Sequence, residues 1–333
     1  MPKTSVENSE ELVENNLRPM LLKDFYGQDS LKENLLIYIQ AAKKRNEALD
    51  HVLFYGPAGL GKTTLANIIA HELNQNIVHV SGPTIERIGD MAAILSSLEA
   101  GDILFIDEIH RLPKVVEEFL YQAMEDFEIS FVISKEKDAD NIHLKLPPFT
   151  IVGATTKISL LSWPMRTRFG ITFHLDFYKV EDIKKIIMRS ANIFGEKIDE
   201  ESALEIAIRC RGTPRIANRI LRRVRDFSSY RRKTPINKTV TLNALEKLKI
   251  DQIGLDELDI LYLETLINRF DGGPVGIETM SATIGEDVST LEEVCEPYLL
   301  SIGFINRTRK GREISSDGRT YFLKYHQKNE STK

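Results

Sequence analysis

The chain has 333 residues, 42% apolar and 28% charged, which excludes a disordered protein and predicts two or three domains, each with its own core. No apolar run approaches the roughly 18 residues of a membrane-spanning helix, and the opening MPKTSVENSEELVENN is polar and acidic, so a cytoplasmic protein without a membrane partner is expected. The net charge of −5 hides an asymmetry: residues 1–180 carry 18 Lys/Arg against 25 Asp/Glu, residues 181–250 carry 17 against 9, and residues 251–333 carry 9 against 15, which argues for three modules rather than a uniformly DNA-coating surface.

Residues 1–180 alternate short apolar β-type runs with helical patterns. Strands are expected at His51–Tyr55, Ile77–Val80, Ile103–Ile106 and Thr150–Gly153, and helices at Ser30–Lys44, Thr63–Leu73, Asp90–Ser97 and Val115–Asp126. Continuous apolar strands such as ILFI imply a parallel sheet covered on both faces, and hence an α/β domain. One stretch breaks the alternation. Ile129, Phe131 and Ile133, then the polar SKEKDADN, then Ile142, Leu144 and Leu146 read as a β-hairpin with an apolar face, open both to packing on its own domain and to protein contact.

From 181 the pattern is helical, with an apolar stripe at Ile183, Ile186, Ile187, Ala191 and Phe194. Asp199 is placed to cap a second helix that Gly212 stops, Thr213-Pro214 opens a third, and a fourth begins near Thr241. Beyond 251, helical patterns at Asp256–Phe270, Glu278–Ile284 and Thr290–Ser301 precede two β-like runs, FINR and REIS, around RTRKG. Three helices and a basic hairpin suit a winged helix. The expected fold is therefore an α/β P-loop domain (1–180), a small all-α domain (181–251) and a C-terminal winged helix (252–333). Cys210 and Cys295 stand alone and the seven histidines lack ligand spacing, which argues against a disulfide framework and a His-ligated metal centre.

GPAGLGKT, Gly56 to Thr63, satisfies G-x-x-x-x-G-K-[ST] between an apolar strand and a helix. There the glycines let backbone N–H groups and the helix N-terminus face phosphate oxygens, with Lys62 on the β/γ-phosphates and Thr63 on Mg²⁺. ILFIDEIH ends a buried strand in Asp107, suited to the Mg²⁺ shell directly or through water, and Glu108, suited to polarising the attacking water. Thr155 or Thr156 ends the next strand and can orient that water. Arg166 and Arg168 in WPMRTRFG offer cations for a transferring phosphoryl group, supplied to a neighbouring subunit. Arg215 lies in a helix's first turn, where the macrodipole disfavours a cation unless a phosphate is near. Arg307, Arg309, Lys310 and Arg312 fall within six residues at a predicted hairpin tip, suited to phosphate contact.

LRP at Leu17, GQD at Gly27, ALDHVLFYGPAGLGKTTLANIIA, LFIDEIHRL, AMEDF, LPPFTIVGATT, RFG, RGTPRIANRILRRVRDF, GGPVG at Gly272 and EPYLLSIGF at Glu296 resemble, over nearly the whole chain, the RuvB family of AAA+ Holliday-junction branch-migration motors. The resemblance implies an ATPase that translocates double-stranded DNA as a homo-hexamer ring with RuvA and RuvC, using ATP and Mg²⁺. It implies nucleotide contacts from Leu17, Arg18, Gly59, Gly61, Lys62, Thr63, Thr64 and Tyr178, with Glu125, Asp126 and Phe127 near a neighbour's nucleotide. Arg168 would be the trans arginine finger, Thr156 and Arg215 sensors, hairpin 129–146 the RuvA dock, and Arg307 and Arg312 the DNA contacts. Departures from the family pattern are Ala58 for Pro, the SKEKDADN turn, Arg309-Lys310 for Pro-Arg in the wing, and Trp163 and Thr167 beside the finger. A clamp-loader or initiator-type ATPase would share the first 250 residues but not this wing. A nucleotide-gated DNA-binding regulator would not need Glu108, and a P-loop kinase leaves 150 residues without a use.

Overall fold

The computed structural model describes residues 17–132, 141–230 and 235–326. The opening sixteen residues, Ile133 and all but the last residue of the SKEKDADN turn lie outside the described residues. The chain divides into two compact units, one running to Gly195 and taking in Thr213–Asn218, the other formed by Glu196–Gly212 and the chain from Arg219 onward.

In the first unit, helix α1 (Asp29–Arg45) leads to β1 (Val52–Tyr55), α2 (Lys62–Leu73), β2 (Ile77–Ser81), α3 (Ile88–Ser96), β3 (Ile103–Asp107) and α4 (Lys114–Asp126). After a hairpin, β4 (Glu128–Val132) and β5 (Asn141–Lys145), come β6 (Thr150–Thr155), the short α5 (Trp163–Thr167), β7 (Ile171–His174) and α6 (Val180–Ile193). Five strands form a parallel sheet in the order β2-β3-β6-β1-β7, with Val52 opposite both Val152 and Ile171. Leu53, Leu104, Ile106 and Ile151 are fully buried in it, each contributing roughly 1.5–3 kcal/mol. The parallel α/β reading holds, with boundaries moved by one or two residues. The edge strand β7 escaped it, because ITFH buries only Ile171 fully and lacks a continuous apolar run.

The β4–β5 hairpin is a separate two-stranded sheet with Ile129 opposite Leu144. Its apolar face is divided: Ile129 and Leu146 join the domain core beside Leu120 and Phe149, whereas Leu144 remains 37% exposed.

In the second unit, α7 (Glu200–Arg209) is capped as expected, Asp199 Oδ1 accepting from Ser202 N at 2.7 Å. It ends at Arg209 rather than at Gly212, because Arg211 and Gly212 both take the left-handed conformation. Helix α8 (Pro214–Tyr230) starts on the Thr213-Pro214 signal, its first residues belonging to the first unit. Then follow α9 (Lys238–Lys247), α10 (Glu257–Asn268) and α11 (Ile277–Ile284). Val288–Thr290, the π-helical Leu291–Cys295 and α12 (Glu296–Ser301) come next, and then the hairpin β8 (Ile305–Thr308) and β9 (Gly311–Ile314). A closing helix, α13 (Ser316–Tyr325), corrects the sequence reading, which ended at the hairpin. Its Gly318 obscured it: a Cβ there would sit 2.4 Å from the Phe304 carbonyl oxygen, so packing demands the glycine that weakens the helical signal. No described helix is long and apolar enough to cross a membrane.

Candidate functional site

At the carboxyl edge of the sheet, β1 runs into the loop 56–61 and α2 begins at Lys62, with Gly61 as its N-cap. That cap uses no side chain, so the first-turn N–H groups point outward as an anion cradle. Gly59 has φ +78°, and a Cβ there would lie 2.8 Å from Thr213 Cγ2 and 3.0 Å from Arg215 Cβ. Gly61 has φ +104°, and its Cβ would press on the Phe25 ring. Both positions require glycine, and the cradle thereby draws Arg215 and Phe25 to its wall. The Arg215 backbone N donates to the Gly59 carbonyl at 3.4 Å, and its side chain is exposed on the first turn of α8.

Lys62 is buried, its Nζ donating to the Gly56 and Pro57 carbonyls at 2.7 and 2.8 Å. Burial pushes its pKa down to about 8, opposed by the nearby carboxylates Asp107 and Glu108. Asp107 ends β3, and its Oδ1 accepts from Glu108 N at 2.9 Å. Glu108 itself has φ +48°, a strained conformation for a non-glycine residue that turns its carboxylate off the strand end, where it meets Arg111 at 3.1 Å. Among the strand-end threonines, Thr155 is buried and its hydroxyl is engaged, 2.9 Å from His110 Nδ1 and accepting from Lys157 N at 3.0 Å. Thr156 is the exposed hydroxyl of the pair.

Tyr178 flanks the same cradle. Tyr178 is buried, donates to the Leu60 carbonyl at 3.0 Å and packs so closely on Gly27 that a Cβ there would lie 2.7 Å from its ring. Leu17 is buried, its carbonyl accepting from Arg189 Nη1 at 2.7 Å, and Arg18 beside it is half-buried. Thr63 and Thr64 are half-buried in the first turn of α2. The contributions of Phe25 and Gly27 as walls were not legible from spacing, since each acts through a residue distant in sequence.

Arg168 lies elsewhere. It precedes β7 by three residues and lines a cleft of about 880 Å³ with Asp50, His51, Gly101 and Phe127, at the edge where the strands begin. One strand length, roughly 13 Å, separates this edge from the P-loop. Its guanidinium is 3.1 Å from Glu125, lies over the Tyr121 ring and donates to the Pro164 carbonyl at 2.8 Å, while Nε is buried without a hydrogen-bond partner among the described residues. Glu125 and Asp126 are exposed at the end of α4, and Phe127 caps it with φ +52°. Arg166 is occupied differently, binding its own loop through the Leu161 and Ser159 carbonyls at 2.8 and 3.2 Å.

In the second unit the four wing cations separate. Arg309 and Lys310 occupy the turn, but Arg307 and Arg312 sit opposite each other on the β8–β9 ladder and bind Glu292 and Glu296. The expectation of four cations at one tip is corrected by the register: the turn holds only two residues. Attraction to those two glutamates holds the Arg312 pKa above its ordinary value, against the opposing effect of burial.

Residues 17–175 match the family described as the Holliday junction DNA helicase RuvB P-loop domain, 178–251 the RuvB AAA lid domain and 252–323 the RuvB C-terminal winged helix domain. The chain is 54% identical over 306 residues to the Holliday junction branch migration complex subunit RuvB of Enterococcus faecalis, covering 92% of this chain and 90% of that one. The protein of the same name from Lacticaseibacillus casei is 52% identical over 312 residues, covering 94% and 92%. The solved Thermotoga maritima RuvB Holliday junction branch migration motor superposes with a TM-score of 0.84 at 50% identity, covering 93% of this chain and 99% of that one.

Proposed function

Because this chain belongs to the RuvB family of P-loop ATPases, we propose that it is an ATP-driven motor that translocates double-stranded DNA and drives Holliday-junction branch migration in recombination and repair. The observation that carries this reading is the placement of two half-sites on opposite edges of one sheet: Lys62, Asp107 and Glu108 at the carboxyl edge, Arg168 at the amino edge. A single subunit cannot close that distance, so a head-to-tail ring, a homo-hexamer by family resemblance, completes each site.

The residues fit ATP. The first turn of α2, whose N-cap uses no side chain, offers N–H groups to phosphate oxygens, Lys62 supplies a cation, and by resemblance Leu17, Arg18 and Tyr178 border the nucleoside side. Bound Mg²⁺ would neutralise charge on the β- and γ-phosphates, and Thr63 and Asp107 are oxygen donors of the right kind to hold it. Glu108 orients and polarises the attacking water, and Thr156 hydrogen-bonds it from the adjacent strand end. Arg168, held by Glu125, stabilises the γ-phosphoryl charge on the neighbouring subunit, whose nucleotide also meets Asp126 and Phe127. Arg215 senses the phosphates from the first turn of α8, where phosphate charge relieves the unfavourable helix dipole.

The hairpin 129–146 docks RuvA, for which half-exposed Leu144 is the apolar contact. The wing carrying Arg307 and Arg312 grips duplex DNA, RuvC acts on the same junction, and the assembly works in the cytoplasm. The test is ATP-dependent dissociation of a synthetic four-way junction with and without RuvA. Dissociation that requires ATP and accelerates with RuvA is expected; ATP turnover without junction dissociation under either condition would refute the motor.

A further inference from the structure

His51 is buried at the foot of β1, where its hydrogen bonds reach β6, α4 and β7. Its Nδ1 accepts from Ile151 N on β6 at 2.9 Å, and its Nε2 lies 3.2 Å from the Met124 carbonyl on α4. A carbonyl oxygen only accepts and a backbone N–H only donates, so Nε2 carries the proton and Nδ1 is bare. Burial holds the imidazole pKa below its ordinary value, against the Met124 carbonyl and Asp50, which favour the cation. The backbone carbonyl of His51 accepts at 3.1 Å from the N–H of Ile171, the residue that opens β7. The ring packs on Phe127 and Phe149, with centroids 6.3 and 5.8 Å away.

These contacts bracket one ion pair. Met124 precedes Glu125 and lies in the last turn of α4, where carbonyls have no donor ahead of them in the helix. Ile171 follows Arg168 by three residues, and the Arg168 guanidinium is 3.1 Å from Glu125. His51 therefore holds the helix end that carries Glu125 through its side chain, and the strand that follows Arg168 through its backbone. From His51, β1 runs directly into the loop 56–61 and Lys62. A displacement of β1 is passed to both members of the pair by hydrogen bonds. An apolar side chain at this position would leave the Ile151 N–H and the Met124 carbonyl without these bonds in a buried place, which is costly.

We infer that His51 is a positioning residue of the half-site offered to the neighbouring subunit, setting the Arg168–Glu125 pair against the strand that ends at the P-loop. This rests on the reading that Arg168 acts on a neighbour's nucleotide. It gives each subunit a path one strand long from its own phosphates to the arginine it lends. His51 is buried and a strand length from the P-loop, so it acts only through the groups it places.

The test measures ATPase rate and ATP affinity of the full chain, singly and in mixtures, with thermal unfolding as the fold control. His51→Asn can still accept from Ile151 N but is too short to reach the Met124 carbonyl. His51→Gln places an amide N–H near the Nε2 position and can still donate to that carbonyl. His51→Asn should lower the rate at saturating ATP at least about tenfold with ATP affinity unchanged, since small misplacements of a catalytic group are expensive, whereas His51→Gln should stay within about threefold of the parent. Mixed with Lys62→Ala, His51→Asn should regain activity, because its own P-loop is intact; mixed with Arg168→Ala it should regain none, because both lack the same half-site. A parental rate for His51→Asn, an equal loss from both changes, or recovery with Arg168→Ala overturns the inference. In the parent chain the imidazole ¹⁵N shifts of His51 should show Nε2 protonated and Nδ1 bare, a measurement independent of how the variants fold, and a protonated Nδ1 also overturns it. The underlying reading is checked separately: if Arg168→Ala and Lys62→Ala do not restore each other, the trans assignment of Arg168 fails and the inference falls with it.

Discussion

The Arg168 guanidinium carbon lies 4.3 Å from the centroid of the Tyr121 ring. The ring is itself fixed, its hydroxyl 3.0 Å from Glu117 Oε1 and 2.9 Å from Ser162 Oγ, and Ser162 also donates to Glu117. A buried carboxylate on α4 and the N-cap serine of α5 thus hold the aromatic plane on which the arginine rests. Tyr121→Ala should loosen Arg168 and lower the ATPase rate of the assembled protein about tenfold with ATP affinity unchanged, a cation–π contact being worth about 1–2 kcal/mol when desolvated. Tyr121→Phe keeps the ring face and should stay within about threefold of the parent. Equal losses from both changes would show that the hydroxyl network, not the ring, matters.

Binding and hydrolysis should separate at the P-loop edge. Lys62→Ala removes the cation on the phosphates and should weaken ATP binding. Glu108→Gln should bind ATP yet hydrolyse it at least about a hundredfold more slowly, the low end for losing a general base. Single-turnover measurements with saturating ATP read this directly, and near-normal turnover by Glu108→Gln would exclude the water-polarising role.

Mixing two defective proteins addresses the division of the site between subunits. Arg168→Ala should bind ATP and assemble but hydrolyse poorly. Mixed with Lys62→Ala, it should regain part of the ATPase activity, because some interfaces then pair an intact Lys62 with an intact Arg168. No recovery at any ratio would place Arg168 outside the neighbour's site.

The depressed Lys62 pKa makes nucleotide binding pH-dependent. Phosphates need the ammonium, so ATP affinity should be full at pH 7 and fall as pH rises through about 8, by about tenfold per unit beyond it. Titration with a fluorescent ATP analogue across this range measures the effect, and Lys62→Arg, which does not titrate there, should give a flat profile. Folding stability changes in the opposite direction. The folded chain holds this proton less tightly than the unfolded chain, so Lys62 contributes a rise in stability as pH climbs from about 8 towards the ordinary lysine value of 10.5. An ATP affinity that does not vary with pH would remove Lys62 from phosphate binding.

Local rules in the sequence determined the P-loop, the Asp107-Glu108 strand end, the Asp199 cap and the Thr213-Pro214 helix start, because each depends on neighbours a few residues apart. The alternation of apolar strands and helices likewise determined the parallel α/β domain, whose strands β1, β3 and β6 are buried on both faces and read as continuous apolar runs. What the sequence left open depended on pairs far apart in the chain. Only the tertiary structure showed that Thr155 is engaged by His110 while Thr156 is exposed, that Arg166 binds its own loop while Arg168 rests on Tyr121, and that Gly59 abuts Arg215. The wing makes the reason plainest. RTRKGR reads as one cluster of charge along the chain, but the hairpin register assigns two cations to the turn and two to the ladder, and Glu292 and Glu296, distant in sequence, pair with the latter. Charge in a sequence is a count, whereas the field at a surface depends on which charges are already paired and desolvated, and packing alone decides that.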